Sequence, residues 1–232
     1  MMKLNLRSCP CSILFFTALL ITGNAKAEEI LFSDDFQSGE ISHEWIFFGD
    51  PTSIIEQDKG NPAPSFNNNG DSMYHSGIKS RRTFRIQDGL VIQCDIFLSC
   101  DSRGTWVNSS FGICDPTYPC GNEGPPDIIN FDYSFGGELA WMAPHLQGTL
   151  HQGIINQPIP SLVHMNQYLN SWHTFKIELS PEGSCSFFID DSLISSQHAL
   201  ILDSLDQVGI VLEGRATSWG TALHDNLLVY VP

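Results

Sequence analysis

An all-β fold of two antiparallel sheets packed face to face is what this 232-residue chain predicts. Three observations carry it. Residues 172–179 alternate, with Phe175, Ile177 and Leu179 on one face and Thr174, Lys176 and Glu178 on the other, the period of a half-buried strand. Pro181, Glu182 and Gly183 then supply a fixed φ and a residue free to take φ > 0, as a tight reversal needs. The next run puts Cys185, Phe187 and Ile189 on one face before Asp190 and Asp191 turn the chain again. Third, turn signals cut much of the remaining sequence into short runs: Asn67-Asn68-Asn69-Gly70, Asp88-Gly89, residues 121–126 and Gly136-Gly137. Many strands with loop-rich joins in one domain of this length indicate a two-sheet sandwich.

Taken in order, the chain opens with a basic n-region (Lys3, Arg7), an apolar run over residues 13–21 broken only by Thr17, and Ala25-Lys26-Ala27 as a small-x-small site. That pattern predicts a secretory signal peptide over residues 1–27 and a secreted domain over 28–232, extracellular or periplasmic. The apolar run is short for a permanent anchor, and no later segment is apolar enough to span a membrane. Strands are expected over 30–36, 44–48, 77–86, 90–98, 107–114, 127–134, 138–143, 149–154, 207–213 and 222–231, besides the meander at 172–196. The stretch 161–169, with Leu162, Met165 and Leu169 at helical spacing, reads as a short helix or a loop. No fixed-period repeat and no composition break marks a second domain.

Charge excludes one class of partner. Lys3, Arg7 and Lys26 leave with the first 27 residues, so 26 acids face the remaining 8 of 11 bases, a formal charge of −18. Such a surface repels phosphate backbones, which argues against nucleic acid. It suits neutral ligands, basic partners or divalent cations, and it also serves solubility alone.

Five cysteines follow the signal segment: Cys94, Cys100, Cys114, Cys120 and Cys185. Export permits disulfides, and the short, proline-containing loop from Cys114 to Cys120 suits a local bridge. Cys94 and Cys100 flank an extended run of about 20 Å, beyond bridging reach. Cys185, on an apolar strand face, is expected to be a buried free thiol.

These residues carry a resemblance. Leu31-Phe32-Ser33-Asp34-Asp35-Phe36 with Trp45 nearby resembles the opening of secreted concanavalin A-like, or laminin-G-like, jelly-roll domains. Trp172…Phe175-Lys176-Ile177…Gly183…Phe188-Ile189-Asp190-Asp191 is similar to their central meander, with Asp191 where Gly is usual. Val208-Gly209-Ile210-Val211-Leu212…His224-Asp225-Asn226-Leu227-Leu228-Val229 is similar to their closing strands. The resemblance implies a jelly-roll sandwich and a superfamily of lectins, carbohydrate-binding modules, glycoside hydrolases and polysaccharide lyases, among which fold does not choose.

Enzyme signatures are missing. Retaining glucanases on this fold resemble one another in a strand-borne Glu-x-Asp-x-x-Glu or Glu-x-Asp-x-Glu, which sets two carboxylates about 5–5.5 Å apart. The nearest segment, residues 93–98, lacks both glutamates, and Asp132 and Glu138 fall in different segments. A lyase would need a Tyr or His base beside a cation. Arg81, Arg82, Tyr133 and His145 are the available types, and nothing in the sequence places them together. The eight histidines are scattered without ligand spacing.

Aromatic rings stack on the C–H faces of sugars. Trp45 and Trp172 fall within strand motifs and are expected in the core. Trp219 lies in an expected hairpin. Trp106 and Trp141 lie where loops and sheet edges meet, so they are the candidate platform, with Tyr133 and His145 as companions. The resemblance also implies a structural Ca²⁺ between first and last strands, for which Asp34, Asp35 and Asp225 are the candidate ligands. Hard cations want several oxygens at about 2.3–2.6 Å. The alternative is that these aspartates only end strands and bond nearby amides. Gln37 stands where some such modules have Glu. The expected role is glycan recognition without catalysis. A polysaccharide-degrading enzyme and a protein-binding adhesion module are the alternatives.

Overall fold

The computed structural model describes residues 28–49, 55–58, 61–66, 75–86, 88–100, 107–117, 127–136, 139–150, 153–157, 163–164, 168, 170–198, 205–215 and 220–232. In chain order the strands are β1 (Glu29–Asp34), β2 (Trp45–Phe48), β3 (Ile55–Asp58), β4 (Asn61–Pro64), β5 (His75–Ser80), β6 (Phe84–Arg85), β7 (Leu90–Cys100), β8 (Val107–Cys114) and β9 (Asp127–Gly136). They continue as β10 (Leu139–Leu150), β11 (Gly153–Gln157), β12 (Val163–His164), β13 (Trp172–Leu179), β14 (Ser184–Ile189), β15 (Ser192–His198), β16 (Gln207–Arg215) and β17 (Gly220–Val231). No α-helix occurs among the described residues, and none of their helices is long and apolar enough to cross a membrane.

Two sheets hold most of these strands. A six-stranded sheet runs β1-β17-β7-β13-β14-β15, and a nine-stranded sheet runs β11-β10-β9-β8-β16-β5-β2, with β12 added beside β10 and β6 beside β16. The central meander forms as its alternation predicts. β13 pairs with β7 on one side and β14 on the other, both antiparallel. Gly183 takes φ 80° in the first reversal, closed by Gly183 N–H donating to Ser180 O at 3.1 Å. Asp190 and Asp191 take φ 48° and 61° in the second. Two consecutive left-handed residues match the twist of a two-residue hairpin, where Gly or Asn is the usual choice.

Alternation puts the expected residues between the sheets. Ile92, Cys94, Ile96, Phe175, Ile177, Leu179, Phe187 and Ile189 are all buried in one cluster with Ile78, Phe111, Ile113, Ile129, Phe131, Ile210 and Leu212 from the facing sheet. Phe131 of β9 joins the layers. Its ring meets Phe187 edge-on at 5.0 Å and Phe175 at 5.4 Å across the interface, and stacks with Phe111 of its own sheet at 5.8 Å. Each such side chain adds roughly 1.5–3 kcal/mol on burial.

Some expectations change. Residues 77–86 divide into β5 and β6, because the Arg81 amide turns out of β5 to donate to Glu44 O at 2.7 Å. The expected strand at 149–154 falls across the end of β10 and the start of β11. Val163 and His164, inside the helix-or-loop stretch, instead form β12 against Met142 and Trp141. The β3–β4 hairpin was not among the expected strands, and Pro62 and Pro64 bring no amide donors to it. A two-stranded ribbon tolerates them because it needs few amide donors.

Trp45 is 2% exposed, as expected for the core, whereas Trp172 is half-buried. Trp172 shares the period of Thr174 and Lys176, so it lies on the outer face of the six-stranded sheet, with its ring 5.6 Å from that of Phe97.

Cys94 and Cys185 are buried thiols, both raised well above the ordinary cysteine range, first by loss of water. Cys94 donates to Asp225 O at 3.4 Å. Cys114 is buried at the end of β8. Cys120 lies outside the described residues, so the expected bridge is not drawn there.

Candidate functional site

The outer face of the nine-stranded sheet follows from β16. Val208, Ile210 and Leu212 point into the core, so Val211 and Glu213 take the other face. There Glu213 is 5% exposed, and its Oε1 accepts the hydroxyl of Ser110 of β8 at 3.0 Å. Lys79 of β5, opposite Val211, is 5% exposed and donates to Pro116 O at 3.2 Å. Beside these groups, Phe48, Cys114 and Val211 form a small apolar cluster separate from the main core. The face therefore joins an apolar patch to an acid, a hydroxyl and an ammonium. Buried polar groups off the core are costly unless a hydrogen-bond partner answers them.

Backbone register places the residues singled out by sequence. Tyr133 of β9 lies opposite Met142 and Ser109. Trp141 of β10 lies opposite Ser134 and His164, and His145 opposite Asn130. All three belong to the β9–β10 pair of the nine-stranded sheet, with Trp141 and His145 four residues apart on one strand. Trp106 lies outside the described residues. Glu213, Ser110 and Lys79 were missed from sequence. The available signal was an acid on β16 at the period opposite Val208, Ile210 and Leu212.

The three candidate metal ligands lie at the adjacent strands β1 and β17 of the other sheet. Asp34 and Asp35 end β1, and Asp225 precedes a bulge in β17, where Asn226 takes φ 48°. Ser33, Asp34, Asp35, Gln93, Asn226, Leu227 and Leu228 line an open cavity of about 430 Å³. Asp34 is heavily used within the fold. Its Oδ1 accepts Phe36 N–H at 2.9 Å and its Oδ2 accepts the Trp45 indole N–H at 2.7 Å. Asp35 Oδ1 accepts Gln37 N–H at 3.1 Å, and Asp225 Oδ1 accepts Asn226 N–H at 2.8 Å. Asp95 binds the Thr174 hydroxyl at 2.6 Å and the Asn226 amide at 2.9 Å. Burial raises the Asp225 carboxyl above its ordinary value. Its Asn226 hydrogen bond opposes the shift, and the charges of Asp95, Asp35 and Asp34 add to it. Among the described residues, no three His, Cys, Asp or Glu side chains group as ligands for a metal.

Solved structures decide the fold. The chain matches the Emp47p carbohydrate recognition domain at TM-score 0.63 and 13% identity, over 90% of this chain and 99% of that one. It matches the endo-β-1,3-glucanase from Pyrococcus furiosus at TM-score 0.57 and 12% identity, over 88% and 94% of the two chains. A lectin from Bauhinia forficata in complex with GalNAc matches at TM-score 0.56 and 8% identity, over 88% and 98%.

The fold is the concanavalin A-like jelly roll. No family model matches the sequence, and no curated protein matches it. On this jelly roll the polar groups of Glu213, Ser110 and Lys79 lie on the nine-stranded sheet, and the acids of β1 and β17 on the six-stranded one.

Proposed function

We propose that this is a secreted glycan-binding protein whose ligand seats, without catalysis at that face, on the outer side of the nine-stranded sheet. The observation that carries the reading is the buried Glu213–Ser110 pair beside Lys79 and the Phe48–Cys114–Val211 cluster. A sugar ring has the matching halves, an apolar C–H face and a rim of hydroxyls. The fold adds support, because one similar structure is a carbohydrate recognition domain and another is a lectin holding GalNAc. Trp141 and His145, opposite Ser134 and Asn130, share the period of Asp132 and border that site. Trp106 is kept as a candidate from the sequence, whereas Tyr133 shares the period of Phe131 and falls on the other face.

The test is a glycan array run beside a reducing-sugar assay on the same purified protein. Reversible retention without sugar release is expected. Trp141→Ala and Trp106→Ala each weaken retention while the melting temperature stays nearly unchanged, and Glu213→Gln weakens it with a modest drop, since the buried acid is hydrogen-bonded. Retention unaffected by all three variants, or variants that unfold, removes this face from the reading. Indifference to every glycan together with capture of a protein favours the adhesion alternative.

A hydrolase is the second reading, and register favours it. Glu213, Ser110 and Asp132 occupy one row across β16, β8 and β9. Two strand spacings set the backbones of the two acidic residues about 9.6 Å apart. Inverting glycosidases need two acids on one face with room for a water between them. Released oligosaccharide that disappears in Glu213→Gln would establish it.

Ca²⁺ at the mouth formed by Asp34, Asp35 and Asp225 belongs to the same proposal. Negative charge gathered around Asp225 favours a hard cation. Asp34 is committed to Phe36 and Trp45 through both carboxylate oxygens, so Asp35 and Asp225 would carry the larger share of the ion's contacts.

A further inference from the structure

We propose that Ser171, His173 and Asp190 form a nucleophilic serine site for carboxylic esters, on the six-stranded sheet and separate from the glycan face. Ser171 Oγ lies 2.7 Å from His173 Nε2, and His173 Nδ1 lies 2.6 Å from Asp190 Oδ2. A carboxylate can only accept, so Nδ1 carries the proton toward Asp190. That tautomer leaves the Nε2 lone pair facing the serine hydroxyl, which donates to it. A base in hydrogen-bond reach of a hydroxyl, itself oriented by a third group, is the arrangement that activates a serine.

The orienting group is fixed in place. Asp190 Oδ1 accepts Thr174 N–H at 3.0 Å, while the Asp190 amide donates to Thr174 O at 2.9 Å. One residue of β13 thus holds Asp190 by both side chain and backbone. The turn carrying it places Asp190 at φ 48° and Asp191 at φ 61°, a conformation that favours Gly or Asn. Aspartate at the first position is explained by what its carboxylate reaches, since a residue there projects back over the start of β13. Asn170, at φ 60°, makes a second left-handed turn immediately before Ser171. It delivers an exposed serine beside a half-buried imidazole, whose ring meets Tyr168 edge-on at 5.1 Å.

The reaction balances without a cofactor. Ser171 Oγ adds to the ester carbonyl carbon while its proton passes to His173 Nε2. The tetrahedral adduct collapses by breaking the bond to the alcohol oxygen, and the alcohol leaves with the proton returned by His173. Water, deprotonated by the same imidazole, then adds to the acyl-serine. The carboxylic acid departs and Ser171 recovers its proton. Ser171 and His173 touch reacting atoms, whereas Asp190 is a positioning residue. The open surface around Ser171 suits an ester presented on a larger molecule.

The test reacts the full chain with a fluorophosphonate probe and follows p-nitrophenyl acetate hydrolysis. One adduct, mapped to Ser171, is expected, and Ser171→Ala removes it. His173→Gln slows labelling at least about 100-fold, the low end of what a general base contributes. Asp190→Asn lowers kcat for the ester while KM and circular dichroism stay nearly unchanged, because the imidazole loses the acceptor that fixes its tautomer. No adduct, an adduct elsewhere, or equal labelling in His173→Gln overturns the proposal. Should His173→Gln fail to fold, the exposed Ser171→Ala still decides. Mapping and ester hydrolysis lost together in that variant support the site, and either one retained overturns it.

Discussion

Asp34→Ala separates a structural aspartate from a metal ligand. Both carboxylate oxygens of Asp34 work inside the fold, one on the Phe36 amide and one on the Trp45 indole N–H. Trp45 is 2% exposed and stacks against Phe36 at 6.2 Å and edge-on to Phe32 at 5.6 Å, so its indole stays in place when its acceptor is removed. A hydrogen bond to a charged group contributes about 1.5–3 kcal/mol, and leaving the donor buried without a partner keeps the loss near the top of that range. With the Phe36 turn also released, the expected loss is about 2–4 kcal/mol. A domain of 150–250 residues shifts roughly 2–4 °C per kcal/mol, so the melting temperature should drop by about 4–16 °C. The assay is thermal unfolding followed by near-ultraviolet circular dichroism, run in excess EDTA. Asp34→Asn keeps one acceptor oxygen and should lose about half as much. A variant melting within about 2 °C of wild type in EDTA refutes the bonding argument. A loss appearing only with Ca²⁺ present refutes it too, and makes Asp34 a ligand.

Ca²⁺ itself should raise the wild-type melting temperature by mass action, with EDTA reversing the gain; Asp225→Asn should remove the response, and an unchanged transition leaves the ion without support. Phe131→Ala should destabilise by about 3–5 kcal/mol in urea unfolding, because its cavity opens at the junction of both sheets; a loss under about 1.5 kcal/mol would show that the layers repack. His224 is fully buried, and loss of water lowers its pKa to about 4. A depressed histidine contributes stability that is whole above the unfolded value near 6.5 and is lost as pH falls from there toward 4, by up to about 3 kcal/mol. Asp225, pushed upward, acts in the opposite sense, so urea midpoints of His224→Gln against wild type isolate the histidine; parallel pH curves would contradict its burial. Non-reduced digestion and mass spectrometry should find the Cys114–Cys120 peptide linked, and two unlinked thiols in secreted protein would end that proposal.

Strand alternation made the core legible before any coordinates. Phe175, Ile177 and Leu179 face Cys185, Phe187 and Ile189 because a period of two has one buried solution once a single face meets the other sheet. The same rule applied more strictly would have placed Trp172 outside, since it shares the period of Lys176. Within the helix-or-loop stretch, Val163 and His164 pair as a strand, while Leu162, Met165 and Leu169 lie outside the described residues. A strand of two residues is too short to show a period, and β10 supplied the partner that made it one. The β3–β4 ribbon, with Pro62 and Pro64 in it, carries no alternation that marks a strand in sequence.

The local pattern determined what local sterics and solvent can fix: an all-β chain, the faces of its long strands and the meander turns at Gly183 and Asp190. Pairing across long sequence separation was decided only by the tertiary structure. Ser110 and Glu213 are 103 residues apart, yet β8 and β16 lie side by side. Asp34 meets Trp45 through a chain reversal, and Asp225 meets Asp95 across β17 and β7. Ser171, His173 and Asp190 stood within twenty residues in sequence, but only the register of β13 against β14 brings the aspartate to the imidazole. A hydrogen bond between side chains depends on strand order and register, and those are set by the packing of the whole sandwich rather than by any one segment.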